Sequence, residues 1–393
     1  MQGTAGVQGT GGSQGVAGSQ GTAGTQGGGG AQGTAGVQGA GGTAGSEGTA
    51  GVQGSGGAQG TAGVQGAAGS QGTAGGGGTQ GTAGAQGIAG SHGGAGGGGA
   101  GSAGTMSAGC GTQGKQTLIS GAQSVSGVAT ASRIKLQSSG QQREFIIDIP
   151  ANYDNMHRYR LVFSFHWVGA SDTIVATGNG YCNDPSGVAT VAGQYYGLKA
   201  LDTSNSTIFV APNGLGGGWS NGNQQDVTFT QDMLDEIEKD LCIDTSRVFS
   251  MGFSFGASMT YTLACAKPNA FRGVAILDGS NVISNPPAPC NQPIAYFQVH
   301  GINDGDFNIV TTAEAMRNKF IMNNGCTQQT VANVANGSHT HSCTTYQGCS
   351  AGHPLEWCSF DGIHQACEYD GAGGDSVQKT WVPAEAWKFF TQF

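Results

Sequence analysis

The ten residues RVFSMGFSFG, from Arg247 to Gly256, decide how the rest of the chain is read. Val248 to Met251 is a short apolar run of the kind that forms a strand covered on both faces, and an Ala- and Met-containing segment with helical composition follows Gly256. Between them stand Gly252, Phe253, Ser254, Phe255 and Gly256, a Gly-x-Ser-x-Gly sequence between strand and helix, which is the setting a nucleophile elbow requires. A serine on so sharp a turn takes a strained backbone conformation, and side chains on either flank would collide with the adjacent strand and helix. Gly252 and Gly256 remove those collisions. The following helix would aim its N-terminal dipole and amides at an oxyanion formed on attack, so Phe255 N–H is the expected donor. A serine that only caps the helix would fit the same five residues, but it would need no partners further along.

Partners occur in the order Ser, acid, His. The apolar run Ile294 to Val299 leads into His300, Gly301, Ile302, Asn303, Asp304, Gly305 and Asp306, which puts carboxylates in a turn at a strand's C-terminal end. Asp304 is the expected acid and Asp306 its competitor; either would also suit an Asx turn. A later run, Leu355 to Phe360, continues through Asp361, Gly362 and Ile363 into His364, the expected base. His339, His341 and His353 precede that strand in a polar, cysteine-containing insert and are poorer candidates. An earlier run, Arg160 to Phe165, ends in His166, Trp167, Val168 and Gly169. A loop there commonly supplies a second oxyanion amide, here Trp167 N–H.

Further candidate strands are Arg143 to Ile149, Thr207 to Ala211 and Gly273 to Leu277. Phe229, Met233, Ile237 and Leu241 recur every four residues among Asp, Glu and Lys, which predicts an amphipathic helix. Helices are also expected over Ala257 to Ala266, Thr312 to Asn323 and Pro383 to Phe390. Alternating strands and helices predict an α/β fold with a mainly parallel sheet.

The front of the chain is a different material. Glycine recurs at every third position from Gly3 to Gly99, the dominant unit reads GTAGVQ or GTAGSQ, and the first proline is Pro150. With almost no Leu, Ile, Phe or charge, residues 1–113 cannot offset their chain entropy by burial in an ordinary core. They read as a flexible spacer, with a polyproline-II-like bundle or an adhesive surface as alternatives. Residues 114–393, roughly 280, suit one large α/β domain.

The net charge is −9 and the few Lys and Arg are scattered, so nucleic acid is not an expected partner. No apolar stretch approaches the about 20 residues of a membrane span. Ten cysteines, none in a CxxC pair, favour disulfides over a metal cluster and point to an oxidising compartment. Sequons at Asn205 and Asn336 agree with export, although Met1 to Gly9 has neither the basic start nor the apolar core of a signal peptide.

FSFHWVG (Phe163 to Gly169), STIFVAPNGLGGGWSN (Ser206 to Asn221), DLCIDTSRVFSMGFSFGASMTY (Asp240 to Tyr261), WCSFDGIH (Trp357 to His364) and TWVPAEAWKFF (Thr380 to Phe390) together resemble the fungal feruloyl esterases that are related to polyhydroxybutyrate depolymerases and acetyl xylan esterases. The resemblance implies an α/β-hydrolase fold behind the Gly-X-X repeat. It also implies a secreted enzyme that hydrolyses feruloyl or related hydroxycinnamoyl esters of plant cell-wall xylan. Ser254, Asp304 and His364 would be its triad, Phe255 and Trp167 its oxyanion amides, and Trp219 would stand near the aromatic acid. No metal or organic cofactor is expected. The chain departs from the family at Ala257, where a glycine is common, and at Ile363, which replaces the second glycine of FDGGH. The rival readings are an acetyl xylan esterase or polyhydroxybutyrate depolymerase on the same scaffold, and a structural or surface-adhesion protein carrying an inert esterase domain.

Overall fold

The computed structural model describes residues 106–111, 116–179, 193–281, 283, 289–365 and 380–393. The glycine repeat, Cys182 and Cys367 lie outside the described residues. In chain order the strands are β1 (Gln123–Val125), β2 (Val128–Ser138), β3 (Gln141–Asp148), β4 (Tyr159–Phe165), β5 (Thr207–Pro212), β6 (Ile243–Phe253), β7 (Gly273–Leu277), β8 (Ala295–Gly301), β9 (His341–Thr345) and β10 (Leu355–Phe360). The helices are α1 (Asp172–Thr177), α2 (Leu198–Leu201), α3 (Gln225–Asp240), α4 (Phe255–Ala266), α5 (Glu314–Asn323) and α6 (Val382–Thr391).

All described strands join one sheet in the order β9-β10-β8-β7-β6-β4-β5-β3-β2-β1. From β5 to β10 the pairings are parallel, whereas β1, β2, β3 and β9 pair antiparallel at the two ends. This is the mainly parallel sheet of the α/β-hydrolase fold. Strands β4, β5, β7 and β10 are buried along their whole length, which is why they read as continuous apolar runs. The strands toward the two ends of the sheet mix apolar with polar residues. VATASRIKLQS in β2 and HSCTT in β9 are partly exposed, so hydrophobic pattern alone does not pick them out. The helix expected from Thr312 begins with a π-helical turn, Ile309–Ala313, and continues as α5.

The bonded region starts ahead of Gly114. The Ser107 hydroxyl donates to the Leu241 carbonyl at 2.6 Å and accepts from Ile243 N–H at 2.8 Å, Gly109 N–H donates to Glu238 O at 2.9 Å, and Cys110 is bonded to Cys242. Composition cannot show this boundary, because the contacts are made largely by backbone and small side chains. Further disulfides join Cys265 to Cys290, Cys326 to Cys349 and Cys343 to Cys358, and no described cysteine is free. They tie the end of α4 to the segment between β7 and β8, bridge the segments on either side of β9, and join β9 directly to β10.

α3 is attached to the sheet by a buried charge pair. Arg143 Nη2, on β3, donates to Asp226 Oδ1 at 2.8 Å with both side chains 1% exposed, and the guanidinium lies 4.0 Å above the Phe229 ring. Burial lowers the Arg143 pKa, while the Asp226 charge opposes that shift. Asp226→Ala should leave a buried cation without its counter-ion and cost about 3–5 kcal/mol, read as a lowered thermal or denaturant midpoint.

Candidate active site

β6 runs into the tight bend for which its sequence is built. Ser254 sits at φ 57°, ψ −119°, outside the regions that side-chain-bearing residues favour. Neighbouring backbone holds it there: Ser254 N–H donates to Leu277 O at 3.0 Å, and Ser254 O accepts from Ser258 N–H at 2.9 Å. A Cβ on Gly252 would fall 2.5 Å from the Gly256 carbonyl. One on Gly256 would fall 2.0 Å from Phe165 O and 2.7 Å from His166 O. The first turn of α4 is therefore pressed against the end of β4, and only glycine fits. The Ser254 hydroxyl does not cap α4.

That hydroxyl lies 2.8 Å from His364 Nε2, and His364 Nδ1 lies 2.8 Å from Asp304 Oδ2. The three side chains come from loops after β6, β8 and β10. β8 and β10 pair in register up to Gly301 opposite Phe360, and the pairing continues past the strands as Ile302 N–H donates to Phe360 O at 3.0 Å and Asn303 N–H to Gly362 O at 2.9 Å. The acid loop and the histidine loop are thus stitched together by backbone. Phe253 and Phe307 flank the imidazole at 4.7 and 5.3 Å between ring centroids.

The Asp304 side chain is buried and its oxygens are well supplied. Oδ1 accepts the N–H groups of Asp306 and Phe307 at 2.7 and 2.8 Å. Burial alone would raise its pKa, but the bonds from His364 and the Phe307 amide, with the nearby imidazoles, hold it below the usual carboxylate range. Burial disfavours charge on His364, yet the Asp304 hydrogen bond and the charges of Asp278, Asp304 and Asp306 outweigh it and raise its pKa. Asp306 is 69% exposed, and its carboxylate stands 3.7 Å from His364 Nε2.

Two buried residues behind Asp304 had no signal in the sequence beyond lying at strand ends. Asp278, just after β7, accepts Gly301 N–H at 2.8 Å, and His300 Nε2 donates to Phe307 O at 2.8 Å while lying 3.3 Å from Asp304 Oδ2. Burial pushes the Asp278 carboxyl up to about 6. The ligand atoms of Asp278, His300 and Asp304 fall within 4.8 Å of one another, and backbone groups already hydrogen-bond to each residue.

Trp167 follows the β4 end against which Gly256 packs, so its peptide lies next to the Ser254 bend. Trp219 is elsewhere than the resemblance implies. It is fully buried, edge-on to Phe165 at 5.1 Å, with its indole N–H donating to His166 O at 2.7 Å. Its place is beneath the turn rather than on a surface open to an acyl group. Gly256→Ala should drive a methyl group into the Phe165 carbonyl; the expected result is a destabilisation of about 2 kcal/mol or more in chemical denaturation, with loss of esterase turnover.

The Phospholipase/Carboxylesterase family model matches residues 220–348. A probable feruloyl esterase C of Aspergillus terreus is 38% identical over 279 residues, spanning 71% of this chain and 89% of its own length. Feruloyl esterase D of Neurospora crassa is 37% identical over 65% of this chain and 83% of its own. A solved acetyl xylan esterase from Aspergillus awamori aligns with a TM-score of 0.45 at 15% identity, over 66% of this chain and 99% of that one. The extent and identity of the match to the Aspergillus terreus protein place the chain in a family: it belongs to the fungal feruloyl esterases, carboxylic ester hydrolases of the α/β-hydrolase fold.

Proposed function

We propose that Ser254 is the nucleophile, His364 the general base and Asp304 the orienting acid in hydrolysis of feruloyl or related hydroxycinnamoyl esters of plant cell-wall xylan. The observation that carries the reading is the relay of two 2.8 Å contacts from the strained Ser254 through His364 to buried Asp304. His364 Nε2 takes the Ser254 proton as the oxygen attacks the ester carbonyl, and Asp304 holds the Nδ1–H tautomer and stabilises the imidazolium. The Phe255 and Trp167 amides receive the oxyanion. His364 then returns the proton to the departing sugar oxygen, leaving a feruloyl ester on Ser254. Water, deprotonated by the same imidazole, releases ferulate and restores the serine.

Support for an apolar acyl group comes from the loops on either side of Ser254. Val168 and Ile363 are 60% and 58% exposed, beside Trp167 and His364 respectively. Ala257 is fully buried and does not face substrate. The four described disulfides support action in an oxidising, extracellular setting.

Methyl ferulate, acetylated xylan and hydroxybutyrate oligomers should be offered in parallel to the protein and to Ser254→Ala. Turnover is expected on ferulate, with loss of about 10³-fold or more in kcat for the variant. Turnover of only one of the other esters would move the assignment to that class, and turnover of none would favour an inert domain. Activity should fall as pH drops through the raised His364 pKa, since the base must be neutral. Asp304→Asn removes one of the charges that raise it and replaces the charge-assisted hydrogen bond by a neutral amide contact that can hold the wrong tautomer, so the acid limb of kcat/KM should move to lower pH while kcat falls on the order of 10⁴-fold.

A further inference from the structure

The peptide unit joining His166 to Trp167 carries the His166 carbonyl at one end and the Trp167 N–H at the other. In a trans peptide these two groups point in opposite directions within one plane, so whatever fixes the carbonyl also aims the amide. Trp219 fixes the carbonyl: its Nε1–H donates to His166 O at 2.7 Å. The indole has no freedom to leave, being fully buried, edge-on to Phe165 at 5.1 Å and 4.8 Å from the His166 ring.

The next peptide is held by a second clamp. His166 Nδ1 donates to Trp167 O at 2.7 Å, while His166 Nε2 accepts Gly214 N–H at 2.9 Å. Two fixed roles require one tautomer, and burial keeps that ring neutral by lowering its pKa to about 4. Gly169 N–H donates to Gly217 O at 2.8 Å, so the turn after β4 is tied twice to the loop that also carries Trp219.

Resting on the reading of Trp167 N–H as an oxyanion donor, we infer that Trp219 is a positioning residue for that amide, acting through the His166–Trp167 peptide. Its indole N–H aims the Trp167 N–H toward the Ser254 bend and, by polarising the carbonyl, makes the amide a stronger donor when charge develops. The contribution appears in the transition state and not in ground-state ester binding, because the carbonyl oxygen gains its negative charge only on attack.

Two replacements at this position test the inference. Trp219→Phe retains an aromatic ring and removes the donor; substitution of the indole by benzothiophene, through incorporation of benzothienylalanine, removes the donor with almost no change of shape. Both should lower kcat about 10- to 100-fold with KM within about twofold, and weaken by a similar factor the binding of a boronic acid that forms a tetrahedral adduct on Ser254. The benzothiophene variant should keep the parent melting midpoint. Unchanged kcat in that variant, with Ser254→Ala inactive, overturns the positioning role and leaves the Ser254 reading intact. A fall in melting midpoint accompanied by equal losses in kcat and substrate binding makes Trp219 a packing residue only and also overturns the role. Activity surviving in Ser254→Ala overturns the nucleophile reading itself, and the inference with it.

Discussion

Between Gly256 and the carbonyls of Phe165 and His166 there is no room for a side chain. That absence of a Cβ lets the first turn of α4 lie against the end of β4, and the site depends on it in two ways. It permits the bend that presents Ser254, and it brings the peptide of Trp167 beside the start of α4. A chain bearing any side chain at Gly256 would have to part the two elements and separate Ser254 from the Trp167 peptide, one of its proposed oxyanion donors. The strain at Ser254, φ 57°, is offset by the hydrogen bonds that its N–H and carbonyl make with Leu277 and Ser258.

Around this bend the protein distributes charge unevenly. Asp304 is buried, yet two backbone amides and His364 satisfy its oxygens, so it remains a carboxylate. Asp278, the more deeply buried residue of the two, meets fewer donors, and burial dominates its titration. The two carboxylates lie on adjacent strand ends with His300 between them, and differ in environment rather than in residue type. The acid that touches His364 is the one whose negative charge the backbone has already compensated.

The surrounding fold keeps these few contacts in register. Parallel pairing from β5 to β10 carries the Ser254, Asp304 and His364 loops to the same end of the sheet, and the β8 and β10 loops remain hydrogen-bonded after the strands have ended. The Arg143–Asp226 pair and the described disulfides hold helices and edge segments to that sheet.

Much of this was legible from local pattern. Fully buried strands such as Gly273–Leu277 and Leu355–Phe360 announce themselves as unbroken apolar runs, and Gly252-Phe253-Ser254-Phe255-Gly256 states its bend through the glycines that the bend requires. Strand β2, one place in from the edge, and edge strand β9 were silent because their residues are at most partly buried as a run, and the bonding of Ser107 and Gly109 was silent because backbone and hydroxyl contacts leave no mark on composition. By itself the sequence determined the class of fold, the bend and the types of residue placed at strand ends, since these follow from side-chain size, polarity and local chain geometry. Only tertiary structure decided that Trp219 lies beneath the turn, that Asp278 and His300 stand behind the acid, and that His364 reaches across 110 residues to Ser254 and 60 to Asp304. Such contacts depend on which strand ends the sheet sets side by side, and no stretch of chain shorter than the sheet carries that information.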